Sequence, residues 1–257
     1  MRAAPGAARS EQGPGRTPRP GRTAPREQAD RPPRAHRGAL ARPHVGAGLP
    51  RGRSRLPMEM VRAMQRERLL RAVIAAVASA GFQDVTVADI VRRARVSRAA
   101  FYAHFADKQD CFLAAAHEGG ELMFGHVLEA SRNIVPGTSD EEVLRVAMAA
   151  FLDFLASEPA FARAFYIDMP AAGSRSMARF DAALHRFAEM NQVWHERARI
   201  SNPEWPAVPY EAYVALAGAT TELVRAEVRG DRIESIAGLG DTLVALHLAV
   251  LAGKPWS

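Results

Sequence analysis

Cysteine and lysine are nearly missing from this chain. Of its 257 residues, Cys111 is the one cysteine. That excludes an intramolecular disulfide and any zinc site built on four cysteines or on two cysteines and two histidines. Lys108 and Lys254 are the two lysines; the other basic residues are arginines. There is no uninterrupted run of about 18 apolar residues, so no membrane span is expected. The N-terminus carries charge without the apolar core of a secretory signal, which makes a cytoplasmic protein the expectation. Catalytic patterns are also wanting. There is no G-x-S-x-G, and Gly253-Lys254 runs into a proline instead of completing a P-loop. His195-Glu196 opens a zincin-like pattern that Arg199 breaks, and His117 with Glu121, one helical turn apart, lacks a third ligand. No enzyme activity, no metal and no cofactor is expected.

What is present divides unevenly. The formal charge is +6. Residues 1–57 carry 13 Arg against Glu11, Glu27 and Asp30, a surplus of +10, which leaves −4 on the remainder. The same stretch has 10 Pro, 8 Gly and no aromatic residue. Such a composition cannot bury enough apolar surface to offset the entropy of ordering, so a disordered tail is expected. Three readings of the tail stay open: a solvated segment, an arm that neutralises DNA phosphates, or translation that starts at Met58 or Met60.

From Met58 onward the pattern is helical throughout. Leu70, Ile74 and Val77, flanked by Leu69 and Val73, repeat at helical spacing, and Gly81 supplies a stop. Thr86 with Asp89 predicts a capping box at the start of a second helix, which runs to about Ala94. Ser97 caps a short third helix with Phe101 and Phe105 inside, and Asp107 caps a fourth that runs to about Asn133. Ser139 with Glu142 opens a helix to about Ala156. Pro159 starts a short one that Pro170 stops. Long helices follow at about 175–200, 210–229 and 234–252. The fold class is all-α. Gly119-Gly120 within the fourth helix costs about 1 kcal/mol per glycine relative to alanine, which points either to close helix packing or to a bend.

Helices two and three, short, capped and two or three residues apart, have helix-turn-helix spacing. The stretch from Arg66 to Phe112 resembles the DNA-binding domain of the TetR family of transcriptional regulators. Leu69-Leu70, Gly81-Phe82, Thr86 through Ile90, Val96-Ser97, Phe101-Tyr102, His104-Phe105 and Lys108 carry the resemblance. It implies a DNA-binding domain at about 62–122, with the helix-turn-helix at about 86–105, and an effector-binding and dimerisation bundle at 123–257. It also implies roles. Thr86 would hold a phosphate; Ser97 and Arg98 would reach bases or phosphates; Tyr102 would touch backbone or a thymine methyl; His104 and Lys108 would clamp phosphates. Arg95 stands where the family often has glycine, and Ala99 and Ala100 complete the expected DNA face. With alanine at 99, 100 and 103, that face has few hydrogen-bonding groups, so DNA shape is expected to supply much of the specificity.

In the C-terminal region, Phe151, Phe154, Phe165, Tyr166, Met169, Phe187, Met190 and Trp194 stand at helical spacing. Such residues are core more often than pocket, but the resemblance implies an apolar effector cavity, which they are expected to line. His126, Tyr166 and Asn191 are candidate polar anchors. The last two helices are expected to pair with their symmetry mates in a homodimer. The function expected is a ligand-responsive regulator, a repressor released from a palindromic double-stranded DNA operator by a small apolar or aromatic effector. The alternative is a helical small-molecule-binding or protein-interaction module without DNA binding.

Overall fold

The caps expected from the sequence are where the helices begin and end. A computed structural model describes residues 57–255; the expected N-terminal tail lies outside the described residues, apart from Pro57. Helix α1 (Met58–Ala80) stops at Gly81, which takes φ 83° and donates its N–H to the Val77 carbonyl. A left-handed turn of this kind favours a residue without Cβ. Helix α2 (Val87–Ala94) starts on the full Thr86–Asp89 capping box. Ser97 caps α3 (Arg98–Tyr102) by accepting from the Ala100 N–H at 3.0 Å. Between them Arg95 adopts φ 56°, the left-handed conformation expected at a position suited to glycine. Asp107 and Ser139 cap α4 (Lys108–Arg132) and α5 (Asp140–Ser157).

Two segments differ from the sequence expectation. Pro170 does not stop the helix begun by Pro159. Helix α6 (Pro159–Arg163) widens into a π turn over Ala164–Asp168 and resumes as α7 (Met169–Ala171). The π turn places Pro170 in the first turn of α7, where the missing N–H leaves no bond unmade. The Tyr166 carbonyl within it accepts from Arg225 Nε at 3.2 Å. After α8 (Ser174–Ser201) and α9 (Tyr210–Arg229), the last segment is not one helix. A 3-10 turn (Ile233–Leu239) leads into α10 (Gly240–Leu251). Gly238 and Gly240 flank the junction, and glycine is the weakest ordinary helix former there. No strand occurs among the described residues.

Membrane spanning was not expected, yet Ile233–Leu251, at mean hydropathy 1.4, is long and apolar enough to match a span by length and composition. It packs Ile236, Leu243, Val244, Leu248 and Leu251 into the protein and leaves much of the rest uncovered.

Helices α2 and α3 pack on α1, and α1 packs on α4, around Leu69, Val73, Ile90, Phe101 and Phe112, all essentially inaccessible. They are also tied to the later helices by polar bonds. The Phe82 N–H donates to Asp168 Oδ1 at 3.2 Å, Gln83 Nε2 to the Ala171 carbonyl at 3.3 Å, and Gln109 Nε2 to the Ala172 carbonyl at 3.1 Å. Burial raises the Asp168 carboxyl above its usual value, although the Phe82 bond opposes it.

The paired glycines of α4 separate here. A Cβ on Gly119 would overlap the buried Phe161 ring, whereas one on Gly120 would meet nothing within 4 Å. Gly119 thus answers to close packing. Gly120→Ala is expected to stabilise the protein by about 1 kcal/mol through helix propensity, and Gly119→Ala to destabilise it by about 1–3 kcal/mol through overpacking. Urea unfolding of the two single variants checks the pair; shifts of the same sign would contradict this placement.

Candidate nucleic-acid interface and cavity

Helix α3 buries one edge and presents the other. Phe101 is fully buried and Phe105 nearly so, while Ser97, Arg98, Ala99, Tyr102 and Ala103 are exposed and Ala100 is half-buried. The 97–104 surface is therefore not folded against its own chain. Half of the Tyr102 surface is open, its ring meets Phe101 edge-on at 5.3 Å, and the Arg98 guanidinium lies 5.9 Å from its centroid. Arg95, also exposed, stands at the turn before the helix.

The other expected residues are arranged less simply. The Thr86 hydroxyl donates to Asp89 Oδ2 at 2.6 Å and accepts from the Asp89 N–H, so the cap occupies it. The Thr86 bonds, with Arg92 Nη2 at 2.6 Å, hold the Asp89 carboxyl down to about 2. A fixed negative charge thus sits at the α2 start, beside the expected phosphate position. The His104 imidazole is lowered from its usual range by burial, then by Arg66 and Arg62. Of these two α1 arginines, Arg66 is paired with Glu118, which leaves Arg62 as the exposed cation beside the ring. Sequence reasoning passed over Arg62 and Arg66 because their proximity to His104 is a helix-to-helix contact. Lys108 departs furthest from expectation. Its ammonium donates to the carbonyls of Phe82, Gln83 and Val85 at 2.8, 3.0 and 2.8 Å, and it lies 4.6 Å from the Phe82 ring centroid. An ammonium has three N–H donors, and all three are used inside the chain.

A cavity of about 600 Å³ lies between α4, α5 and α8. Of the eight residues expected to line it, Phe151, Phe187, Met190 and Trp194 do. Phe165 and Tyr166 instead border a void of about 30 Å³ with Phe180 and Thr220, and Met169 borders an α4–α8 groove of about 160 Å³. Phe154 is core, edge-on to Phe161 at 5.8 Å. Burial raises the Tyr166 hydroxyl far above its usual value. Of the proposed polar anchors Asn191 lines the large cavity, while His126 and Tyr166 do not. Sequence reasoning missed the α4 wall, Met123, Phe124, Val127 and Leu128, and the α5 wall around Leu144 and Met148. The α4 set repeats at helical spacing, a signal that was available. At the edge Arg186 is paired with Glu121 and its guanidinium lies 4.2 Å from the Phe124 ring centroid.

His117 Nδ1 stands 3.9 Å from Glu121 Oε1. Among the described residues no group of three or more His, Cys, Asp or Glu is placed to hold a metal ion. Burial pushes the Cys111 thiol up to about 12.

Residues 69–115 match the family profile described as bacterial regulatory proteins, tetR family. The described fold is similar to those of solved transcriptional regulators. A fatty acid degradation regulator, FadR, from Bacillus halodurans superposes with a TM-score of 0.65 at 15% identity, covering 75% of this chain and 97% of that one. FadR from Bacillus subtilis, solved in complex with stearoyl-CoA, gives 0.61 at 15% identity over 73% and 98%. A TetR-like transcriptional regulator from Rhodococcus sp. RHA1 gives 0.59 at 23% identity over 78% and 100%. Residues 69–115, which hold the helix-turn-helix, thus match the tetR profile, and the described all-helical fold is like that of these regulators.

Proposed function

We propose that the chain is a ligand-responsive, DNA-binding transcriptional regulator that represses from a palindromic operator and is released by a small apolar effector. The observation that carries this is the exposed face of α3, with Ser97, Arg98 and Tyr102 on the second helix of a TetR-type helix-turn-helix. Residues 62–122 form the DNA-binding domain and 123–257 the effector and dimerisation domain. Arg98 and Ser97 read base edges, Tyr102 packs on sugar or a thymine methyl, and Arg95 and Arg62 face phosphates. With alanine at 99, 100 and 103, much of the discrimination comes from DNA shape. Site of action is the cytoplasm, on the nucleoid.

Two copies are needed, because a helix of five residues reads few base pairs. The uncovered apolar side of the last segment, with Val250 among its exposed residues, supports pairing there. The cavity supports the effector half of the reading: it lies within the usual range of about 300–1,000 Å³ for small-molecule sites. The FadR complex with stearoyl-CoA supports an effector with a long apolar part. Helix α4 links the two halves, since its first turn holds Lys108 against the α1–α2 loop and its later turns wall the cavity. An effector that alters the packing of α4 shifts the population between DNA-competent and incompetent spreads of the dimer.

Band-shift titration of the dimer on the DNA upstream of its own gene, across a salt series, tests the proposal. Affinity is expected to fall steeply with salt as phosphate contacts release counterions. Arg98→Ala is expected to relax discrimination at one base pair per half-site by about 1–3 kcal/mol. If no retarded complex forms at about 50 mM salt, the chain is a helical ligand-binding module and the DNA reading falls.

A further inference from the structure

The cavity walls are mostly apolar; their polar side chains are Ser131 on α4, Asp140 at the start of α5, and Arg186, Glu189, Asn191 and Arg197 on α8. Asn191, 5% exposed, and Trp194, half-buried, are three residues apart on that helix, and both line the cavity. Each buries an N–H, on Nδ2 and Nε1, that has no hydrogen-bond partner. Around them stand Phe187, Met190, Phe151 and Leu144, which offer neither acceptor nor charge. A buried unpaired donor costs about 1–3 kcal/mol, and an apolar site with a few convergent donors is how small-molecule sites select their ligands. Both orphans are donors, so what is wanted is an acceptor. Charge is not wanted. The charged lining residues are already paired or open to solvent: Arg186 of α8 is held by two bonds to Glu121 of α4, Asp140 accepts from Asn202 Nδ2 at 2.8 Å, and Glu189 and Arg197 are exposed to water. A carboxylate placed against two neutral N–H groups in apolar surroundings would lose far more hydration than they return.

Resting on the reading of this cavity as the effector site, we infer that the ligand is a neutral carbonyl compound, a ketone, ester, lactone or thioester with an apolar or aromatic body. Its carbonyl oxygen accepts from Asn191 Nδ2 and Trp194 Nε1, while its body lies along Phe151, Phe187 and the α4 wall. The bond both orients the ligand and relieves the two orphans, so the polar pair acts as the selectivity element of an otherwise permissive cavity.

Three matched probes test this by calorimetric titration of the full-length dimer: 4-phenylbutan-2-one, its hydrocarbon isostere (3-methylbutyl)benzene, and 3-phenylpropanoate, which exchanges the ketone methyl for a charged oxygen. The ketone is expected to bind, and the carboxylate to bind at least about tenfold more weakly. The ratio of hydrocarbon to ketone dissociation constants is expected to fall about tenfold in Asn191→Leu, and by a smaller factor in Trp194→Phe, since the comparison within each protein cancels the difference in hydration of the probes. Trp194→Phe keeps a ring in place and serves if Asn191→Leu does not fold. If ketone and hydrocarbon both bind and neither variant changes their ratio, or if the carboxylate binds more tightly than the ketone, the inference is overturned while the cavity remains a ligand site. If none of the probes binds at millimolar concentration, the cavity reading itself fails.

Discussion

Lys108→Ala is expected to lower the stability of the protein by about 2–4 kcal/mol, a fall in Tm of roughly 5–15 °C for a chain of this size. The reason is local. The loop 81–86 turns three carbonyls, those of Phe82, Gln83 and Val85, toward one point, and the Lys108 ammonium satisfies them together. Removing it leaves three converging oxygens with no common donor and exposes the Phe82 ring face that it covers. A cation in the first turn of α4 works against the helix dipole, so its position there is explained by the loop it holds. Lys108→Arg is not expected to rescue, because a planar guanidinium cannot aim three N–H bonds at one tripod of carbonyls. Thermal unfolding followed by circular dichroism gives the answer. A phosphate-contact role gives a different result: an unchanged Tm and a salt slope of DNA binding reduced by about one. That outcome would return Lys108 to the DNA interface.

The second large effect is on pH dependence. His247 is fully buried on α10, and its Nδ1 stands 2.7 Å from the Leu243 carbonyl. A carbonyl only accepts, so Nδ1 carries the proton and Nε2 keeps a buried lone pair with no partner. Burial lowers the imidazole to about 4, against 6.5 when exposed. The unfolded chain therefore binds this proton near pH 6.5 and the folded chain only near 4, so stability declines as pH falls through that window. The contribution is about 2 kcal/mol between pH 7.5 and 5 and about 3 kcal/mol once pH is below 4. His195 adds in the same direction: it too is fully buried, its Nδ1 is 2.8 Å from the Tyr213 hydroxyl, and burial lowers it. Asp168 acts oppositely, because a raised carboxyl takes up its proton first in the folded state. Urea unfolding of the wild type and His247→Leu at pH 7.5 and 5 isolates the residue: the variant is expected to lose about 2 kcal/mol less on acidification. An equal loss in both proteins would assign the acid sensitivity elsewhere. The His247 ring is edge-on to Phe187, 6.5 Å between centroids, so the same histidine bears on the cavity wall.

Helix ends were legible in the sequence because a cap acts over three or four residues. Thr86 and Asp89, Ser97 and Ala100, Asp107 and Asp110, and Gly81 each satisfy backbone groups of their own turn. The all-helical class and the outward face of α3 follow from the same local pattern, since Phe101 marks the inner side of a helix whose other residues are small or polar; Phe105, expected on the same helix, is buried just beyond its end at Tyr102. Where the pattern was ambiguous, the structure decided. The π turn at Ala164–Asp168 has no local signature strong enough to outweigh Pro170, and the last apolar stretch gave no sign of its 3-10 start beyond its glycines.

The chain's residues alone determined that it is helical, where its turns fall, and which short helix leaves a face exposed. Tertiary structure alone decided that Lys108 closes a loop 23–26 residues away, that Phe154 is core while Phe151 is cavity wall, and that Asn191 stands among apolar walls with an unpaired N–H. The difference is one of range. Caps and amphipathic faces depend on neighbours along the chain. A carbonyl tripod or a cavity wall depends on the angle at which helices distant in sequence cross, and aromatic spacing on a single helix leaves that angle undetermined.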